Sequence, residues 1–116
     1  LDIMEFLGIR QLKNGKFINS PNLTFKFFYD RKGLISPHIS FVVPKSVAKS
    51  AVKRNALRRR GYMVFRKYIE EMPDNILGIF FFGKKSLELF AGRKNKSFNP
   101  IQNLENEIKN ILSKIN

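Results

Sequence analysis

Residues 45–67 read KSVAKSAVKRNALRRRGYMVFRK. The stretch carries Lys45, Lys49, Lys53, Arg54, Arg58, Arg59, Arg60, Arg66 and Lys67, and no acidic residue. Like charges at helical spacing repel, so the run destabilises an isolated helix. A polyanion laid against it reverses that effect, and in a cell the usual polyanion is nucleic acid. The plain alternative is a solvated basic face with no partner. Apolar residues run through the same segment at helical spacing. Leu57, Gly61, Val64, Phe65, Tyr68 and Met72 fall on one side of a helix predicted over 51–71 and stopped by Pro73. Asn55, Arg59, Tyr62 and Arg66 step along a separate face. Gly61 inside a helix costs roughly 1 kcal/mol relative to alanine. Close packing of the helix on a sheet accounts for a glycine there.

The flanking segments supply that sheet. Upstream, 38–43 reads as a strand with Ile39, Phe41 and Val43 toward the core and His38, Ser40 and Val42 on the other face; Pro44 ends it. The segment 23–30 alternates in the same way. Leu23, Phe25, Phe27 and Tyr29 share one face, and Thr24, Lys26, Phe28 and Asp30 share the other. Arg31-Lys32-Gly33 reads as a hairpin-type connection. Residues 16–22 read as a turn around Ser20-Pro21-Asn22. A short helix is predicted over 1–14, with Ile3, Phe6, Leu7 and Arg10 at helical spacing, Asp2 as cap and Asn14-Gly15 as stop. Downstream, 75–82 (NILGIFFF) is a short apolar run with the length and aromatic content of a buried strand. Residues 86–97 read as a basic loop or short helical turn. Asn99-Pro100 is a cap followed by proline at the first helical position. Ile101, Leu104, Ile108, Ile111 and Ile115 then form an apolar stripe. The order predicts an α+β sandwich, with helices on one sheet face and the other face at least partly open.

Composition bounds the function. The chain has 116 residues, the size of one domain (1–116). Hydrophobic residues make up 43%, too many for a disordered basic tail. The formal net charge is +13, which calls for a polyanionic partner. There is no cysteine, so disulfide and thiol chemistry are excluded, and a reducing, cytoplasmic compartment fits. No apolar run reaches the length of a membrane span and no leader pattern is read at the start. A self-contained nuclease is disfavoured: His38 is the single histidine, no metal-ligand spacing or P-loop occurs, and the nine acidic residues are scattered. Glu70 and Glu71 are neighbours that diverge on a helix, so they read as a helix end, not an acid/base pair. No helix-turn-helix pattern points to DNA. Two RNA-binding surfaces remain. The basic helix neutralises phosphates. The sheet face carrying Lys26, Phe28, His38 and Ser40 can take unpaired bases. A structural RNA-binding protein, such as a ribosomal protein, is the second function class.

The segment VVPKSVAKSAVKRNALRRR resembles the signature of the bacterial ribonuclease P protein subunit, in which a strand leads through a basic turn into a helix opening on Arg-Asn. The matching residues are Val43, Lys45, Lys49, Ala51, Val52, Arg54, Asn55, Leu57, Arg58 and Arg59; Ala56 stands where that family usually carries a basic residue. The likeness in element order covers 15–116, and the first fourteen residues match poorly. The resemblance implies an α-β-β-β-α-β-α sandwich with a left-handed βαβ crossover, the fold class of the second domain of a small-subunit ribosomal protein. It implies the accessory protein of an endoribonuclease that removes the 5′ leader of precursor tRNA, with the active site supplied by the catalytic RNA. No catalytic residue or metal ligand is expected in the protein, and magnesium ions (Mg2+) are expected in the RNA-containing holoenzyme. The expected partners are the catalytic RNA and precursor tRNA, with no membrane and no DNA. The residues implied to meet the catalytic RNA are Lys45, Lys49, Lys53, Arg54, Asn55, Arg58, Arg59, Arg60 and Arg66. Those implied for a leader cleft are Phe6, Phe17, Lys26, Phe28, His38, Ser40 and Lys84.

Overall fold

Alternation of apolar side chains builds the centre of the molecule. In the computed structural model, which describes residues 15–29 and 38–115, the segment 23–29 forms a strand whose Leu23, Phe25 and Phe27 are buried. Counting along the chain, the strands are β1 (Lys16–Asn19), β2 (Leu23–Tyr29), β3 (His38–Val42) and β4 (Ile76–Phe82). They lie in the order β1-β2-β4-β3. β2 pairs antiparallel with β1 and β4, and β3 runs parallel to β4. The helix predicted over 1–14, with Phe6, and the connection at 31–33 lie outside the described residues.

Parallel neighbours cannot be joined by a tight turn, so β3 and β4 need a crossover. Helix α1 (Ala51–Phe65) provides it. Ser50 caps it, its hydroxyl accepting from the Lys53 amide at 3.4 Å. Leu57, Gly61, Val64 and Phe65 are its buried residues. A Cβ built on Gly61 would fall 2.5 Å from Phe41 Cδ1. The glycine is therefore the point where helix and sheet approach most closely, as its position in the apolar stripe predicts.

Three expectations from the sequence change. First, residues 16–19 pair as a strand, where the sequence predicts only the approach to a turn. With a single side chain, Ile18, packed on the core, the strand has little apolar pattern to betray it. The turn at Ser20 does form, closed by the Ser20 amide donating to the Leu23 carbonyl at 2.8 Å. Second, α1 ends at Phe65 instead of reaching Glu71. A turn and a 3-10 segment, Ile69–Glu71, follow. The Lys67 and Tyr68 amides bond three residues back, to Val64 and Phe65. Pro73 forces Met72 to extended backbone. Third, Tyr29 is 40% exposed at the end of β2, beyond the reach of the core its alternation points to. Of the two readings of 86–97, the short helical turn forms at its start, as α2 (Ser86–Phe90).

The final helix, α3 (Pro100–Leu112), begins where the Asn99-Pro100 pair predicts, with Asn99 Oδ1 accepting from the Gln102 amide at 3.1 Å. Leu104, Ile108 and Ile111 are buried beside β2 and α1. The core is a column of rings. Phe80 stacks on Phe25 at 4.3 Å and on Phe41 at 4.8 Å between centroids. Most of the twelve phenylalanines are consumed here; among the described residues Phe17 alone of them is exposed.

Candidate nucleic-acid interface

The basic turn before α1 is held from beneath. Pro44 O accepts from the Val47 and Ala48 amides at 3.0 and 3.3 Å, and Val47 and Ala48 are buried. That leaves Lys45 and Lys49 exposed on the outside of the turn. Arg54, one turn into the helix, donates from Nη1 to the Ala48 and Lys49 carbonyls at 2.9 and 2.8 Å. Its guanidinium thus fastens the turn to the helix and has fewer donors left for a ligand. Arg60 is also engaged within the fold, since its Nη1 donates to Phe90 O at 2.7 Å and ties α1 to the end of α2. Arg58 bonds to Asn55 Oδ1 across one turn. Lys53, Arg59 and Arg66 are exposed, and their side chains have no hydrogen-bond partner among the described residues. The nine sequence-predicted residues therefore share one helix and its leading turn but differ in freedom.

This surface is poorly neutralised. Among the described residues the single salt bridge is Lys67–Glu105, at 3.7 Å. Glu105 is engaged elsewhere as well, accepting from Tyr68 Oη at 2.6 Å. The hydrogen bond pushes the Tyr68 phenol up to about 12, helped by burial and by the charges of Glu105 and Glu71. The same bond holds the Glu105 carboxyl below its usual range, with Lys67 and Lys109 assisting and burial opposing.

The second surface is the sheet face turned away from α1 and α3. Register puts Phe17, Lys26, Ile79 and Ser40 in one row across the four strands, and Phe28, Leu77 and His38 in the next. Strand spacing makes such a row roughly 14 Å wide. Lys26 Nζ sits 4.7 Å from the centre of the Phe17 ring, a cation–π contact. Leu77 and Ile79 are buried between these groups, packed with Phe28, Val42 and Phe81. Lys26, Phe28 and Ser40 are half-buried, and Phe17 and His38 are exposed. Five of the seven predicted cleft residues are thus brought to one face. Phe6 lies outside the described residues. Lys84 does not join them. It follows the far end of β4 and lines a separate groove with Pro21, Asn22, Lys85, Glu88 and Leu89, seven residues and roughly 23 Å along the strand from Leu77.

Tyr62 links the two surfaces, and sequence reasoning places it on the Asn55–Arg66 face without giving it a role. Its Oη accepts from the Phe41 amide at 3.2 Å and lies 3.5 Å from Ser40 Oγ. The helix face therefore runs along β3, the outermost strand on that side of the described sheet. Among the described residues no three His, Cys, Asp or Glu side chains gather as a metal site, and no helix is long and apolar enough to cross a membrane.

Comparison with known proteins agrees with this geometry. A family model described as Ribonuclease P matches residues 4–116, which extends the likeness into the first fourteen residues. Ribonuclease P protein components from two strains of Borreliella burgdorferi, ATCC 35210 (B31) and ZS7, are 35% and 34% identical over 82 residues, 68% of each chain. Among solved structures, the RNase P protein of Thermotoga maritima in complex with 1-(4-fluorophenyl)-2-thiourea superposes with a TM-score of 0.76 at 23% identity, over 100% of this chain and 99% of that one. The Staphylococcus aureus RNase P protein superposes with a TM-score of 0.68 at 14% identity, over 90% and 84%. At those identities the two structures speak for the fold, while the family match and the Borreliella relatives carry the assignment. A basic helix leading off a parallel strand, on a four-stranded mixed sheet, in a chain matched from residue 4 to its last residue, belongs to the ribonuclease P protein family.

Proposed function

We propose that the two surfaces divide the work of a ribonuclease P protein component. In this reading the α1 face, with Lys45, Lys49, Lys53, Asn55, Arg58, Arg59 and Arg66, docks on the catalytic RNA. The sheet row of Phe17, Lys26, Phe28, His38 and Ser40 holds the single-stranded 5′ leader of precursor tRNA. Arg54 and Arg60 serve the first surface by fixing the turn and α2 beside it. The observation that carries the reading is the register itself. Five residues from three strands, including two rings and a lysine, meet on the face opposite the helices. Rings that accept stacked bases next to cations that accept phosphates are what a single strand requires. The reading leaves Mg2+ to the RNA-containing holoenzyme and hydrolysis to the RNA. The cytoplasm is the proposed compartment.

Reconstitution tests this. The protein alone should leave precursor tRNA intact, and adding the cognate RNA subunit should give cleavage at a magnesium concentration where that RNA alone is slow. Cleavage by the protein alone, or no stimulation of the RNA, overturns the reading. Within it, Arg59→Ala should leave stability unchanged and lower the log–log salt slope of RNA binding by roughly one. Arg54→Ala should instead cost about 0.5–1.5 kcal/mol of stability, because it removes a part-buried bond to Ala48 O and an exposed one to Lys49 O.

A further inference from the structure

Between β3, the outermost strand on that side of the described sheet, and α1 lies an open groove of about 410 Å3, lined by His38, Ile39, Tyr62, Phe65, Arg66 and Ile69. Its floor is apolar: Phe65 is buried, and Ile39 and Ile69 pack on the core as half-buried side chains. Its rim is polar and exposed, formed by His38, Tyr62 and Arg66. Phosphate contacts along α1 need cations alone and leave an apolar floor unexplained. The volume lies within the range of pockets that enclose a small organic ligand.

Tyr62 is preset at the rim. Its Oη accepts from the Phe41 amide, and its ring packs edge-on against Phe41 with centroids 5.0 Å apart. Accepting that bond leaves the hydroxyl proton for a ligand when Ser40 Oγ, 3.5 Å away, acts as donor to the same oxygen. Arg66 stands one helical turn beyond Tyr62, at the end of the same Asn55–Arg59–Tyr62 stripe. A strand of RNA following the stripe passes the mouth of the groove as it reaches Arg66.

The geometry points to a subsite for one unpaired nucleotide of the RNA that lies along α1. The base enters the groove over Ile39 and Ile69, its edge meets the Tyr62 hydroxyl and the His38 imidazole, and its phosphate meets the Arg66 guanidinium. This rests on the reading of α1 as the RNA-docking face and adds a base contact to what is otherwise a set of phosphate contacts.

The test compares binding of the RNA subunit across a salt series for Ile69→Trp, which fills the groove without changing charge, and for His38→Ala, which trims the rim. Arg59→Ala serves as the reference for phosphate docking. Each of the two groove variants should lose at least about fivefold in affinity, the lower end of one stacked base, with an unchanged log–log salt slope. Ultraviolet crosslinking of the wild-type complex should join RNA to the peptide containing Tyr62. Unchanged affinity in both groove variants overturns the subsite, even with Arg59→Ala still lowering the slope, a result that leaves the docking helix standing. A loss of affinity accompanied by a smaller slope assigns the groove to phosphate and also overturns base insertion. If Arg59→Ala leaves the slope unchanged, the docking reading itself falls. Should Ile69→Trp fail to fold, His38→Ala and the crosslink decide the matter.

Discussion

Replacing Gly61 with alanine sets a local gain against a tertiary cost. In an isolated helix the change is worth about 1 kcal/mol in favour of alanine. In the folded protein the new Cβ would stand 2.5, 2.7 and 2.9 Å from three atoms of the Phe41 ring. Ordinary carbon–carbon contact is about 3.5–4.0 Å, so ring or helix must retreat by about 1 Å. Phe41 has no room to give way. It stacks on Phe80 at 4.8 Å and is flanked by Tyr62, Phe65 and Phe82 at 5.0, 6.2 and 5.8 Å. Overpacking of this kind costs typically about 1–3 kcal/mol. A retreating helix also lengthens the Phe41 amide bond to Tyr62, worth about 1 kcal/mol. Set against the propensity gain, the sum is a net loss of about 1–3 kcal/mol. Urea unfolding followed by circular dichroism should show it as a midpoint lowered by roughly 1 M at an unchanged slope. Met63→Ala, on the exposed side of α1, should stay within about 0.5 kcal/mol of the parent. In a Phe41→Leu background, Gly61→Ala should become neutral or stabilising, a coupling of at least about 1 kcal/mol. A Gly61→Ala protein as stable as the parent, or more stable, would refute the close approach of helix and sheet.

The Tyr68–Glu105 bond predicts a pH signature. Tyr68→Phe should cost about 1–2 kcal/mol near neutrality, where the bond has a charged acceptor. The Glu105 carboxyl is held below its usual 4.5 in the fold, so its contribution is present above that pH and is lost as pH falls through the depressed value. The Tyr68 phenol is raised from 10.0 to about 12, so its contribution is present below pH 10 and is lost as pH rises toward 12. The stability difference between parent and Tyr68→Phe should therefore be flat between about pH 5 and 9 and shrink on both sides; a constant difference from about pH 3 to 11 contradicts the assignment. Glu107→Ala removes a carboxylate that accepts from Ser20 Oγ, the Asn22 amide and Asn22 Nδ2 at 2.8, 2.7 and 2.9 Å. It should cost about 2–3 kcal/mol and speed hydrogen exchange at the Asn22 amide; unchanged exchange there would show that the carboxylate does not hold the β1–β2 turn.

Much of the molecule is legible in short windows of sequence. Alternation at Leu23, Phe25 and Phe27, the apolar run ending at Phe82, and the stripe from Leu104 to Ile111 each report a buried face. Their periods are those of the strand and helix that carry them. The stretch 45–67 announces a strongly basic helix by charge, and its Arg-Asn opening resembles the family to which the chain belongs. The same stretch does not announce which of its cations are free. Arg54 and Arg60 look like Arg59 in sequence, yet their partners are backbone carbonyls of a preceding turn and of a helix thirty residues away. Strand β1 is hidden in the sequence because an edge strand with one core side chain has almost no period to read. α1 ends at Phe65, where the Lys67 and Tyr68 amides bond three residues back, a tightening that the apolar stripe running on to Tyr68 and Met72 does not record.

Charge, the order of the main elements apart from β1, the core-facing side of each of them and the kind of partner follow from the chain read as a string. Each of these rests on neighbours along the chain. Folding in three dimensions was needed to set the strand order β1-β2-β4-β3, the gathering of Phe17, Lys26, Phe28, His38 and Ser40 on one face, the exclusion of Lys84 from it, and the groove beside Tyr62. Those features are pairings between segments far apart in sequence. They are settled when the rings of Phe25, Phe41 and Phe80 close on one another and Gly61 lets α1 settle on the column they form, and no local period records that event.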